Sequence, residues 1–88
     1  MSELREHRIK RLKMRSMRRG IKEMDLILQR FAEAELDSMQ DDDLTIYDAM
    51  LSENDHDLYQ WVTGQMSPPP KYEMMMKEII ASLPQIKV

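Results

Sequence analysis

Apolar residues recur along this chain at three- and four-residue steps, the spacing that places side chains on one face of an α-helix. The first segment, about Glu3 to Met17, sets Ile9, Leu12 and Ser16 on one stripe and Arg8, Arg11, Arg15 and Arg18 on another. Arg19-Gly20 interrupts it. Glycine costs about 1 kcal/mol relative to alanine inside a helix, so a corner or sharp bend is expected there. From about Ile21 to Leu36 the helical register returns with Met24, Ile27, Leu28, Phe31 and Glu35, while Ala32 and Ala34 permit close packing. Asp41-Asp-Asp43 reads as the start of a third helix, where acids satisfy free N–H groups and offset the helix dipole. Its apolar positions are Ile46, Tyr47, Met50 and Leu51.

Ser52-Glu-Asn-Asp55 is a second capping cluster. It opens a short helix carrying Leu58, Tyr59, Trp61 and Val62, which Gly64 can close in the left-handed conformation. Ser67-Pro-Pro-Pro70 is a stiff connector, with Pro70 suited to a first helical turn. Tyr72, Met75, Met76, Ile79, Ile80 and Leu83 then form the cleanest amphipathic pattern in the chain, and Pro84 stops it. Strand character is confined to short runs such as Leu44 to Tyr47. The expectation is an all-α, compact five-helix bundle, a single domain over 1–88 with residues 1–7 and 85–88 as loose ends.

Eighty-eight residues suffice for one domain and bury roughly 60–65% of the surface of the unfolded chain. The core is therefore thin, and a deep private cavity would compete with stability. Cysteine is absent, which excludes disulfides and thiolate metal sites. No apolar run approaches the ~20 residues of a membrane span, so no membrane insertion is expected. Glu3 and Glu6 argue against reading the Arg-rich start as a transit peptide. A cytoplasmic protein of bacterial type is expected, or one of the mitochondrial matrix in a eukaryote.

Charge is distributed unevenly. Met1 to Arg19 carries eight Lys/Arg against two acids, and Gly20 to Val88 five against fourteen. A basic arm on an acidic body can bind nucleic acid, an acidic protein surface or the chain's own body. Against nucleic acid stand the pI of about 5.3 and the apolar, acidic helix that follows the turn. The competing functional class is nevertheless an antitoxin-like or nucleic-acid-binding regulatory module that uses the basic first helix.

Catalytic signatures are missing. There is no phosphate-binding glycine loop, no GxSxG turn and no HExxH helix. Glu23 and Asp25 lie two residues apart and diverge on a helix. Neither Asp41-Asp-Asp43 nor Asp55-His-Asp57 matches a calcium loop, and capping explains both. The ten methionines suit a small, irregular core, with one or two left exposed near a binding face. No enzyme activity and no metal are expected.

The most unusual local feature is Arg19-Gly20-Ile21-Lys22-Glu23. Gly20 permits positive φ or close approach of another backbone. Arg19 offers a planar fork of donors, and Glu23, four residues on, is placed to pair with it across one helical turn. A plain helix corner with a surface ion pair and a binding site both account for this spacing.

The stretch Arg18-Arg-Gly-Ile-Lys-Glu-Met-Asp-Leu-Ile-Leu28 resembles the signature of the succinate dehydrogenase assembly factor 2 family of flavinylation factors. That signature is RGxxE followed by an acid and an apolar run. Arg19, Gly20 and Glu23 stand in those places and Asp25 in the acid's, with Ile21 where many relatives have Met. A second block, Asn54-Asp-His-Asp-Leu-Tyr-Gln-Trp-Val-Thr-Gly64, is similar to the family's acid-rich turn and DLYxWxTG. The resemblance runs from about Arg8 to Leu83.

It implies a five-helix bundle that binds the flavoprotein subunit of succinate dehydrogenase, with fumarate reductase as a further client, and promotes covalent attachment of FAD. In such clients a histidine joins the 8α carbon of FAD, a step helped by positioning and by stabilising charge on the flavin ring. The factor itself is expected to hold no cofactor stably, to bind no nucleic acid and to be monomeric when free. Client-binding residues implied are Arg19, Gly20, Ile21, Glu23 and Asp25, with Arg11 and Arg15 steering the encounter.

Overall fold

The computed structural model describes residues 3–83. Five α-helices follow in order: α1 (Arg5–Arg15), α2 (Lys22–Glu35), α3 (Asp41–Met50), α4 (Asp55–Thr63) and α5 (Glu73–Ser82). Short 3-10 turns at Leu36–Ser38 and Pro70–Tyr72 extend α2 and lead into α5. The all-α five-helix expectation holds, and among the described residues there is no strand.

Boundaries differ from the sequence reading in informative ways. The arm to His7 is not loose throughout, because α1 already includes Arg5 to His7. Its first turn is tied down by Arg5, whose guanidinium bonds Asp41 at 2.7 Å and the Met39 carbonyl. Of the other expected loose residues, Glu3 and Leu4 precede the helix, and Met1, Ser2 and 85–88 lie outside the described residues. Helix α1 ends at Arg15 rather than Met17, where Ser16 turns its N–H to the Leu12 and Lys13 carbonyls.

The corner residue with positive φ is Arg18 (φ 58°), not Gly20. A side chain in this region costs roughly 1 kcal/mol. It is held by a bond from the Arg18 N–H to Asp25 Oδ1 at 2.8 Å. Gly64 does adopt the left-handed conformation expected of it (φ 82°) and closes α4.

One core joins all five helices. Leu12, Leu28, Leu36, Leu44, Leu58 and Ile79 are fully buried, and the Phe31 and Tyr47 rings meet 5.7 Å apart at its centre. Methionines fill the gaps between helices: Met24, Met50, Met75 and Met76 are buried, whereas Met14, Met66 and Met74 are exposed. Met17, next to the corner, is just over a third exposed. The Ser16 position on the apolar stripe of α1 is also buried. Its hydroxyl donates to the Leu12 carbonyl at 2.7 Å and accepts from the Tyr47 hydroxyl at 2.6 Å, so neither buried oxygen is orphaned. Burial pushes the Tyr47 phenol up to about 12.

Above this pair, α1 and α3 run side by side in the same direction, and the arginine stripe of α1 faces α3. Arg8 bonds Thr45 at 2.5 Å, Arg11 bonds Asp48 at 2.8 Å, and Arg15 reaches both Asp48 (2.5 Å) and Ser52 (3.2 Å). With Arg5 on Asp41, these contacts form a ladder. The Arg11 guanidinium holds the Asp48 carboxyl below the usual carboxylate range. Of the three destinations open to the basic arm, its arginines reach the chain's own acidic body.

Candidate functional site

The ladder ends where the chain leaves α1, and there the corner begins. Helix α4 supplies the acceptor. Two adjacent residues at its start offer side-chain oxygens, but only one can occupy the N-cap position. Asn54 takes it, accepting the His56 N–H at 2.8 Å. Asp55, the first residue of the helix, is thereby left to reach across to the corner.

Its two oxygens are both used. Oδ1 accepts from Arg19 Nε at 2.8 Å, and Oδ2 accepts from the Gly20 backbone N–H at 2.5 Å. The other guanidinium nitrogens of Arg19 donate to the Arg15 carbonyl at 3.2 Å and the Glu53 carbonyl at 3.4 Å. Arg19 thus ties the end of α1 to the α3–α4 connection. This ion pair is shielded from water, with side chains only 13% and 17% exposed. Nearby, the Tyr72 hydroxyl donates to Glu53 Oε2 at 2.9 Å, which fastens the same connection to the start of α5.

On the outer side, Arg19, Gly20, Ile21, Glu53, Asn54, Asp55 and His56 line an open depression of about 320 Å³. Ile21 is half-buried, resting against the core, and Gly20 and His56 are exposed. Residue 20 has one close neighbour at the point where a side chain would begin. A Cβ there would stand 3.0 Å from Asp55 Oδ2, tighter than ordinary contact.

The anticipated site residues divide into three groups. Arg19, Gly20 and Ile21 come together at the depression. Glu23 lies beside them on the first turn of α2, exposed, and Arg19 pairs with Asp55 in its place. Asp25 serves as the acceptor that stabilises the left-handed Arg18. The side chains of Arg11 and Arg15 lie off the depression and hold Asp48, with Arg11 also bonded to Glu3 at 2.9 Å; only the Arg15 carbonyl, which accepts from Arg19, touches the corner. Sequence reasoning did not single out Asp55, Glu53 or His56 as site residues. The available signal was the redundancy of Asn54-Asp55, two capping side chains where one is enough. Among the described residues, no three His, Cys, Asp or Glu side chains are arranged to hold a metal ion, and no helix is long and apolar enough to cross a membrane.

Fold and site together define a small helical bundle with a braced polar corner on its surface. The chain belongs to the family described as flavinator of succinate dehydrogenase, whose model matches residues 10–83. It is 46% identical over 68 residues to the mitochondrial succinate dehydrogenase assembly factor 2 of Meyerozyma guilliermondii, covering 77% of this chain and 50% of that protein. The Drosophila grimshawi protein of the same name is 39% identical over 75 residues, 83% of this chain and 51% of that one. The FAD assembly factor SdhE of Legionella pneumophila is 41% identical over 51 residues, 58% of this chain and 65% of that one. The chain spans about half the length of the first two relatives.

Proposed function

We propose that this protein is an assembly factor that binds the flavoprotein subunit of succinate dehydrogenase and promotes covalent attachment of FAD to it. The observation that carries this reading is the braced corner: Arg19 and Gly20 are locked onto Asp55, with the exposed Glu23 carboxylate and His56 beside them. A surface held in one geometry before binding loses less conformational freedom on association. Glu23 accepts a client donor, and the shallow depression admits a client backbone or side chain. The flavoprotein subunit of fumarate reductase, offering the same chemistry, is a second client. The factor orders the client around its own FAD without holding the cofactor stably, and it is no enzyme itself. It acts in the cytoplasm of a bacterium, or in the mitochondrial matrix of a eukaryote.

The alternative, a nucleic-acid-binding regulator, needs free cations along α1. The pairing of Arg5, Arg11 and Arg15 with carboxylates of the same chain favours the assembly factor. Co-expression with a succinate dehydrogenase flavoprotein subunit, scored by in-gel fluorescence of covalent flavin, tests the proposal. The wild-type factor is expected to raise the signal, and Gly20→Arg to abolish most of the gain while remaining folded. No gain with the wild type would refute the reading.

A further inference from the structure

Arginine and glycine at a docking corner suggest that the client needs the space a side chain would fill. The surroundings of that space say otherwise. The Cβ position of Gly20 lies 3.0 Å from the chain's own Asp55 Oδ2, and, its chain neighbours aside, no other atom comes within 4 Å of it. Gly20 has no positive φ that would demand glycine for conformational reasons. The close approach at position 20 is therefore made by the Asp55 side chain of α4.

We propose that Asp55 is the positioning residue of the docking corner, and that its carboxylate, rather than the client, imposes glycine at position 20. The inference rests on the docking role proposed above for this corner and adds the device that shapes it. Three facts bear on it together. First, the carboxylate is shared between a guanidinium N–H and a backbone N–H of consecutive residues, so it fixes the side chain and the chain direction of the corner at once. Second, the corner lies outside any helix, between α1 and α2, where regular backbone hydrogen bonding cannot fix it. Third, α4 carries Asp55 at its first position with Asn54 already supplying the cap, so the carboxylate is not drawn back to its own helix.

An alanine at position 20 forces Oδ2 to retreat by a few tenths of an ångström. This lengthens the bond to the Gly20 N–H and disturbs the one to Arg19. A larger side chain, as in Gly20→Arg, displaces the carboxylate altogether and brings a second cation to compete with Arg19. Both substitutions would then act on the client at second hand, by releasing the corner.

A double-mutant cycle between positions 20 and 55 separates the two explanations. Wild type, Gly20→Ala, Asp55→Ala and the double variant are compared for binding to the purified flavoprotein subunit, with Ile79→Val as a core-truncated control for lost stability. Each of the two single corner variants is expected to weaken binding about tenfold or more, which is about 1.4 kcal/mol. Gly20→Ala should add less than about twofold in the Asp55→Ala background, where nothing remains for its Cβ to strike. Ile79→Val should bind as wild type does.

An equal loss from Gly20→Ala in both backgrounds would overturn the inference, since the client itself would then need the gap. Wild-type affinity in Asp55→Ala would overturn it too. The same cycle read by urea unfolding needs no client, and the two substitutions should again be non-additive; additivity there contradicts the brace. Failure of the wild type to bind while the unfolding cycle is non-additive would refute the docking role and leave the carboxylate's hold on residue 20 standing.

Discussion

Along α1, successive arginines meet α3 in a ladder whose central carboxylate, Asp48, is shared by Arg11 and Arg15, whereas at the corner after α1 a single arginine meets one carboxylate together with a backbone N–H. The functional groups are the same, and their surroundings differ. Arg5 and Asp41 at the outer rung are 43% and 75% exposed, so water and salt screen their attraction. Arg19 and Asp55 are 13% and 17% exposed, and their loss would leave poorly solvated groups without partners. The rungs join two regular helices that also share a buried face. Arg19 and Gly20 lie outside both helices, and Asp55 bonds the side chain of one and the backbone N–H of the other. A redundant, partly exposed set of ion pairs supports the fold, while a single shielded one defines a shape.

The sharpest way to break this comparison is to exchange the expected roles. Gly20→Arg should lower covalent flavin on a co-expressed client about tenfold or more, equivalent to about 1.4 kcal/mol, with helix content by circular dichroism preserved. Loss of helix content instead would make the corner a folding element like the ladder.

Beneath the ladder, the buried Ser16–Tyr47 bond gives a large effect on stability rather than on the client. Tyr47 has its pKa raised to about 12 by burial, so the folded state retains the phenol proton after the unfolded chain has released it near pH 10. Stability should therefore fall as pH rises from about 10 to about 12, by on the order of 2–3 kcal/mol. Tyr47→Phe cannot ionise and should lose that alkaline limb. Urea titrations across this range check it, and an unchanged limb in Tyr47→Phe would assign the loss to other groups.

Asp48 is the central rung, gripped by Arg11 and Arg15. Asp48→Asn should cost about 1–2 kcal/mol at neutral pH, since the charge-assisted bonds are partly exposed. The sign with pH follows from its lowered pKa, caused first by the Arg11 hydrogen bond. Its contribution is present above about pH 4 and lost as pH falls through the folded value. The variant should accordingly show a shallower acid limb in urea unfolding. Smallest of all, Arg5→Ala should cost under about 1 kcal/mol, and less still in high salt.

Much of this scaffold was legible in the sequence because it depends on local rules. The helical spacing identified the five helices and the buried Ser16 on the apolar stripe of α1. Gly64 and the proline connector marked the boundaries of α4 and α5. The corner was harder. Arg19, Gly20 and Glu23 stood out by type and spacing, but the partner of the first two lies 36 and 35 residues away, on another helix. Spacing within one helix suggested Arg19–Glu23, and tertiary packing replaced it with Arg19–Asp55. The left-handed residue was Arg18 because Asp25 was in position to hold it, a contact that glycine preference alone could not indicate. The ladder was half visible: the arginines repeat at helical steps, and so do Asp41, Thr45, Asp48 and Ser52. Only the packing of α1 against α3 brings the two series together.

The central claim is that the corner carries the function and the ladder carries the fold. Covalent flavin on a co-expressed succinate dehydrogenase flavoprotein subunit, measured side by side with wild type, Gly20→Arg and Arg5→Ala, tests it most directly. The account predicts that Arg5→Ala supports flavinylation as wild type does and that Gly20→Arg, though folded, does not. Equal losses in the two variants, or full activity in Gly20→Arg, would contradict it.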